Sequence, residues 1–113
     1  MPLKRRELLA AAAAAVALPA VGQGKDAWPS KPIRIVVPYP PGGSSDIIAR
    51  AISVPLADAL KQTVIIDNKP GANGNLGADF VAKSAPDGYT LLLCDVGALA
   101  ISPSVYTKLP FDP

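Results

Sequence analysis

The sequence predicts an α/β fold, a parallel three-layer βαβαβα unit, on three observations. Aliphatic runs at residues 33–37, 64–66 and 89–93 lack the polar alternation of a half-wet strand, as suits parallel strands covered on both faces. Segments of helical period stand between and after them. The first two strand-to-helix connections are dense in proline and glycine. Right-handed crossovers then place helices on both faces of the sheet.

Ile33 to Val37 reads as the first strand. "PYPPGGSSD" follows: prolines stiffen the elbow, glycines bare the backbone, and Ser or Asp opens a helix. From Ile47 the period is 3.6, with Ile47, Ile48, Ala51, Ile52, Leu56, Ala59 and Leu60 on one predicted face and Arg50, Ser53, Asp58 and Lys61 opposite. Pro55 predicts a kink, or a new first turn capped by Ser53. Residues 64–66 form the second strand, "DNKPGANGNLG" a second Pro/Gly loop, and "ADFVAKSA" the second helix. Residues 85–88 make a tight turn, with proline at its second place and glycine at its exit. After the third strand come one or two short helical turns, with Ser102 as cap and Pro103 as first position.

Residues 1–24 carry Lys4, Arg5 and Arg6, then an apolar run over 8–18, then small residues. That order is the grammar of a cleavable export signal, with cleavage after Gly22 or Gly24. The run is shorter than the roughly 20 apolar residues of a membrane span. Arg5-Arg6 before Glu7-Leu8-Leu9 also resembles a twin-arginine signal. Without this segment eight basic residues face eight aspartates. The remaining chain is neutral, with no basic stripe for nucleic acid.

There is no histidine, and Cys94 is the one cysteine. A Ser-His-Asp or Cys-His set cannot be built within the chain, the usual zinc ligands are missing, and no internal disulfide can form. No cofactor is expected. Cys94 is expected as a small buried hydrophobe at a strand end. "PPGGSSD" lacks the lysine of a P-loop, and "GANGNLG" spaces its glycines differently from a dinucleotide fingerprint.

In a parallel sheet the strand-to-helix loops share one edge, where unpaired N–H groups and helix dipoles favour an anion. Asp46, in the first helical turn, is assigned to complementing the dipole rather than to ligand contact. Asp95, at the same edge after "TLLLC", either caps the following helical turn or faces the cleft to pair with a cationic part of a ligand.

"WPSKPIRIVVPYPPGGSSDIIAR", "TVIIDNKPGANGNLGADFVAKSAPDGYTLLL" and "PSVYTKLPFDP" together resemble the Bug-type periplasmic solute receptors of tripartite tricarboxylate transporters. The resemblance runs from about Trp28 to Pro113. It implies the first lobe of a two-domain, Venus-flytrap binding protein in the periplasm, with no enzymatic activity. The implied partners are a small carboxylate (a dicarboxylate, tricarboxylate or acidic amino acid) and a membrane permease. Carried to matching positions, it assigns Tyr39, Pro40, Gly42, Gly43 and Ser44 in the first loop to the ligand, and Gly71, Ala72, Asn73 and Gly74 in the second. Family members usually carry glycine where this chain has Lys61, and Ser, Thr or Asn where it has "CDVG". Such receptors are much longer, so residues 25–113 are expected to form the N-terminal part of lobe 1, with the second lobe absent. The alternatives are a relic that binds nothing, and a hydrolase or transferase fragment using Ser44 or Ser45 with a base from elsewhere.

Overall fold

A computed structural model describes residues 27–113; the export signal expected over residues 1–24 lies outside the described residues. The elements are β1 (Ile33–Val37), α1 (Ser44–Leu60), β2 (Val64–Asn68), α2 (Asn75–Ala82), β3 (Thr90–Leu92) and α3 (Ser102–Val105). A short turn at Ala72–Gly74 precedes α2, and a wide helical turn at Gly97–Ile101 runs into α3. The three strands are parallel in the order β2-β1-β3. This is the predicted α/β architecture. None of the described helices is long and apolar enough to cross a membrane.

β1 lies in the middle, and Ile33, Ile35, Val36 and Val37 are all buried. A strand shielded over most of both faces has little use for polar alternation, which explains a sequence apolar at every position but Arg34. Ile35 sits opposite both Ile66 and Leu91 in the register. Pairing with β3 reaches past its core: the Arg34 N–H donates to the Tyr89 carbonyl at 2.8 Å, and the Leu93 N–H to the Val36 carbonyl at 3.0 Å.

α1 packs on one sheet face, where Ala49 and Leu56 meet Ile35, Val37, Val64 and Ile66, with Tyr39 and Leu93 at the margin. The buried face of α1 therefore differs from the one its isoleucines predict. Ser45, Asp46 and Ala49 are buried, whereas Ile47, Ile48 and Ile52 are 61%, 53% and 41% exposed. Positions 45, 49, 56 and 60 recur at helical spacing. The small residues Ser45 and Ala49 let the N-terminal half of the helix lie close to the sheet, while Leu56, part of the predicted face, packs against it as expected. The helix starts at Ser44, within the Ser-Ser-Asp opening expected, and passes through Pro55 without the restart expected there. Pro55 is exposed, so its ring displaces water rather than protein. Ser53 does not cap a second helix; its hydroxyl donates to the Arg50 carbonyl at 2.8 Å. α1 ends on Lys61 in the left-handed region (φ 54), with the Gln62 N–H reaching back to the Ala57 carbonyl at 3.3 Å. That conformation suits glycine best, which accounts for the glycine usual in the resembling receptors.

α2 contacts β3 and β1 and covers the other face. It begins at Asn75, so Gly77, expected in the loop, lies inside the helix. A Cβ on Gly77 would fall 2.5 Å from Pro38 Cβ and 3.0 Å from the Lys69 carbonyl oxygen. The missing side chain is what allows α2 to touch the start of the loop after β1. Ser102 is likewise not the cap expected: its backbone is helical, because the helical turn has already begun at Gly97.

Candidate functional site

The C-terminal ends of β1, β2 and β3 deliver three loops to one edge of the sheet. The first, Pro38 to Gly43, is anchored by Asp46. This carboxylate is 4% exposed. It accepts from the Arg50 Nε at 3.0 Å, the Gly42 N–H at 3.0 Å and the Asn68 Nδ2 at 3.0 Å. Asn68, the last residue of β2, also donates to the Tyr39 carbonyl at 3.2 Å. One aspartate thereby ties loop 1, helix α1 and strand β2 together. Asp46 does lie in the first turn of α1, as its dipole role requires. The wider network was missed: the i,i+4 spacing of Asp46 and Arg50 announces the ion pair, while no sequence signal announces Asn68.

The Arg50 hydrogen bond, then the Gly42 N–H, then Asn68 hold the Asp46 carboxyl at about 2, below its ordinary value of 3.8. A carboxyl depressed in the folded state favours folding while ionised. Its contribution is fully present above about pH 4 and is lost as pH falls towards 2. Urea midpoints of the wild type are expected to drop across that window more steeply than those of Asp46→Asn. Parallel curves for the two proteins would remove Asp46 as the titrating anchor.

Loop 2 is built on unusual backbone. Gly71 has φ 135, and Ala72, Asn73 and Gly74 follow with φ 49, 56 and 86. The Gly74 N–H closes this left-handed turn on the Gly71 carbonyl at 3.0 Å. Positive φ at a non-glycine residue costs on the order of 1–3 kcal/mol and gathers at functional sites. Asn73 tolerates it; Ala72 has no side chain that helps.

Loop 3 runs from Leu93 to Val96. Cys94 is half-buried and unpaired by disulfide, and burial, then the nearby Asp95, push its thiol upward. Asp95 is exposed and reaches across to loop 1, where its Oδ1 accepts the Tyr39 hydroxyl. The same Oδ1 accepts the Gly97 N–H at 2.8 Å, so it also serves the first turn of the following helix. The phenol is pushed up to about 12, first by burial and then by Asp95. The Tyr39 hydrogen bond, then the Gly97 N–H, hold the Asp95 carboxyl below its ordinary range.

The ten candidate residues divide into two groups. Tyr39, Asn73, Gly74 and Asp95 come together: a Cβ on Gly74 would lie 2.9 Å from the Tyr39 hydroxyl oxygen, and one on Gly97 2.9 Å from Asp95 Oδ1 and 3.4 Å from Asn73 Nδ2. Pro40, Gly42, Gly43 and Ser44 are exposed in loop 1 and Ala72 in loop 2, while Gly71 is half-buried against Leu76. The Gly42 N–H is committed to Asp46. The first N–H groups of α1, from Ser44 onward, have no carbonyl within the helix to bond. An open groove of about 520 Å³ lies at the opposite end, beside Asp58, Lys61 and Thr63. It faces the negative end of the α1 dipole and shares no residue with the candidate set.

Known proteins resemble both the chain and its fold. The family model for the tripartite tricarboxylate transporter family receptor, TctC, matches residues 48–113. Protein BugT of Bordetella pertussis is 47% identical over 87 residues, 76% of this chain and 27% of BugT. The solved structure of Rpa4515 from R. palustris with adipate is 38% identical, with a TM-score of 0.73 over 76% of this chain and 29% of that one. MatC from Rhodopseudomonas palustris, with bound malate, is 37% identical, with a TM-score of 0.73 over 76% and 29%. The chain thus spans less than a third of the length of these relatives. With a family match over more than half its residues, the chain belongs to the tripartite tricarboxylate transporter receptor family.

Proposed function

We propose that this chain takes part in periplasmic capture of a small organic anion, a di- or tricarboxylate or an acidic amino acid, for delivery to a membrane permease. One observation carries this reading: two glycine-rich loops, each feeding a helix N-terminus, meet at the same edge of a parallel sheet around Tyr39. Free N–H groups there suit a carboxylate. Relatives solved with adipate and with malate support the ligand class. Ser44 and Ser45 act through their backbone in this reading. Residues 1–24 direct export, and residues 25–113 form the N-terminal part of lobe 1 of a solute-binding protein.

A site open on one side leaves the anion largely hydrated. Amide-shift titration of the 15N-labelled chain with succinate, glutamate and citrate is expected to give dissociation constants of about 1 mM or weaker. The shifts should concentrate on Ser44, Ser45, Ala72 and Asn73. Shifts confined to exposed lysines, or no shift with any of the three, would remove the carboxylate site.

A further inference from the structure

A phenol has one hydrogen to give, and its destination decides what the oxygen offers to anything else. Tyr39 gives its hydrogen to Asp95 Oδ1. Gly97 brings a second donor to that oxygen at 2.8 Å, so the Asp95 side chain is held from loop 1 and from the turn after β3. Asp95 Oδ2 has no hydrogen-bond partner among the described residues, and the side chain is exposed. Gly74 backs the Tyr39 ring so closely that a Cβ would sit 3.1 Å from two ring carbons. On that side the ring is backed by loop 2 and cannot retreat further. What the pair leaves unpaired is acceptor capacity alone: the lone pairs of Tyr39 Oη and of Asp95 Oδ2.

Loops 1 and 2 offer the opposite chemistry, since backbone N–H groups only donate. The edge is divided into a donor side and an acceptor side. Resting on the carboxylate-site reading above, we infer that Tyr39 and Asp95 are specificity-determining residues that select carboxylates bearing a hydrogen-bond donor, an ammonium or a hydroxyl, over unsubstituted dicarboxylates. A plain dicarboxylate sets acceptor against acceptor and negative charge against negative charge on that side. A substituent with a hydrogen to give meets a charged acceptor already locked in place. Hydrogen bonds to charged groups are worth enough to separate the two classes by about tenfold or more.

Succinate, malate and aspartate test this, because they share one four-carbon skeleton and differ at one substituent. In amide-shift titrations of the chain, the tighter of malate and aspartate is expected to bind at least about tenfold better than succinate. Aspartate in front identifies an ammonium as the preferred donor, malate in front a hydroxyl. Asp95→Asn keeps a carbonyl for the Tyr39 hydroxyl and the Gly97 N–H but turns the free oxygen into a donor. Its preference ratio should fall towards one, with succinate gaining. Tyr39→Phe keeps the ring against Gly74, removes one acceptor and should reduce the ratio in part. A merely structural pair would weaken all three ligands alike and leave the ratio unchanged. Equal affinities in the wild type, or an unchanged ratio in both variants, overturns the inference while the carboxylate site stands. No binding of any of the three overturns that site and this inference with it.

Discussion

Gly77→Ala is expected to destabilise the domain by about 1–2 kcal/mol, although alanine is the better helix former. The intrinsic gain is about 1 kcal/mol. Against it stands a methyl group 2.5 Å from Pro38 Cβ, 2.9 Å from Pro38 Cα and 3.0 Å from the Lys69 carbonyl oxygen. Two of those atoms are backbone and the third belongs to a rigid ring, so none can turn aside. Overpacking of this kind costs about 1–3 kcal/mol and sometimes more, because backbone must shift. Here the shift separates α2 from the start of loop 1. The same substitution should therefore weaken the Tyr39–Asp95 contact and broaden the loop amides in NMR spectra. A urea midpoint equal to or above that of wild type would show that the close approach of α2 to Pro38 is not real.

Pro55→Ala is expected to act in the other direction, stabilising by about 2 kcal/mol. Proline inside a helix loses one hydrogen bond and crowds the preceding turn, a cost of about 3 kcal/mol against alanine. Proline also restricts the unfolded chain, which returns up to about 1 kcal/mol. Pro55 is exposed on a 17-residue helix, so alanine leaves no cavity and restores a donor for the Ala51 carbonyl. The position is nearly three turns from the α1 N-terminus, and loop 1 amide shifts should stay where they are. A lower thermal midpoint for Pro55→Ala would mean that the proline holds a bend the fold requires.

Much of this fold was legible. Ile33 to Val37 announced a strand buried on both faces because no polar residue interrupts them beyond Arg34. The turn at residues 85–88 announced itself through proline and glycine, and Gly88 has φ 81. The packing face of α1 was not legible from its isoleucines, since small residues at 45 and 49 bury as well as large ones once the helix lies close. Gly77 was mistaken for loop because an isolated glycine signals a break. Its reason for being glycine lies across space, at Pro38. The candidate site divides in the same way. Gly71, Asn73 and Gly74 could be marked from residue type, as glycine and asparagine tolerate positive φ. The reach of Asp95 to Tyr39, over 56 residues of chain, depends on β1 and β3 lying side by side, and no local pattern encodes that.

The Asp46 web has a consequence for the timing of conformational entropy loss. Three prolines restrict loop 1, and Asp46 and Asn68 hold its Gly42 amide and Tyr39 carbonyl. Fixing the backbone of one residue costs about 1–2 kcal/mol of entropy, and here that loss falls in folding. On the proposed carboxylate reading, the loop need not order itself around its guest, so the ordering part of the association cost is small. Arrival should then be set by diffusion and charge, at similar rates for anions of similar size. What separates one anion from another is how long it stays.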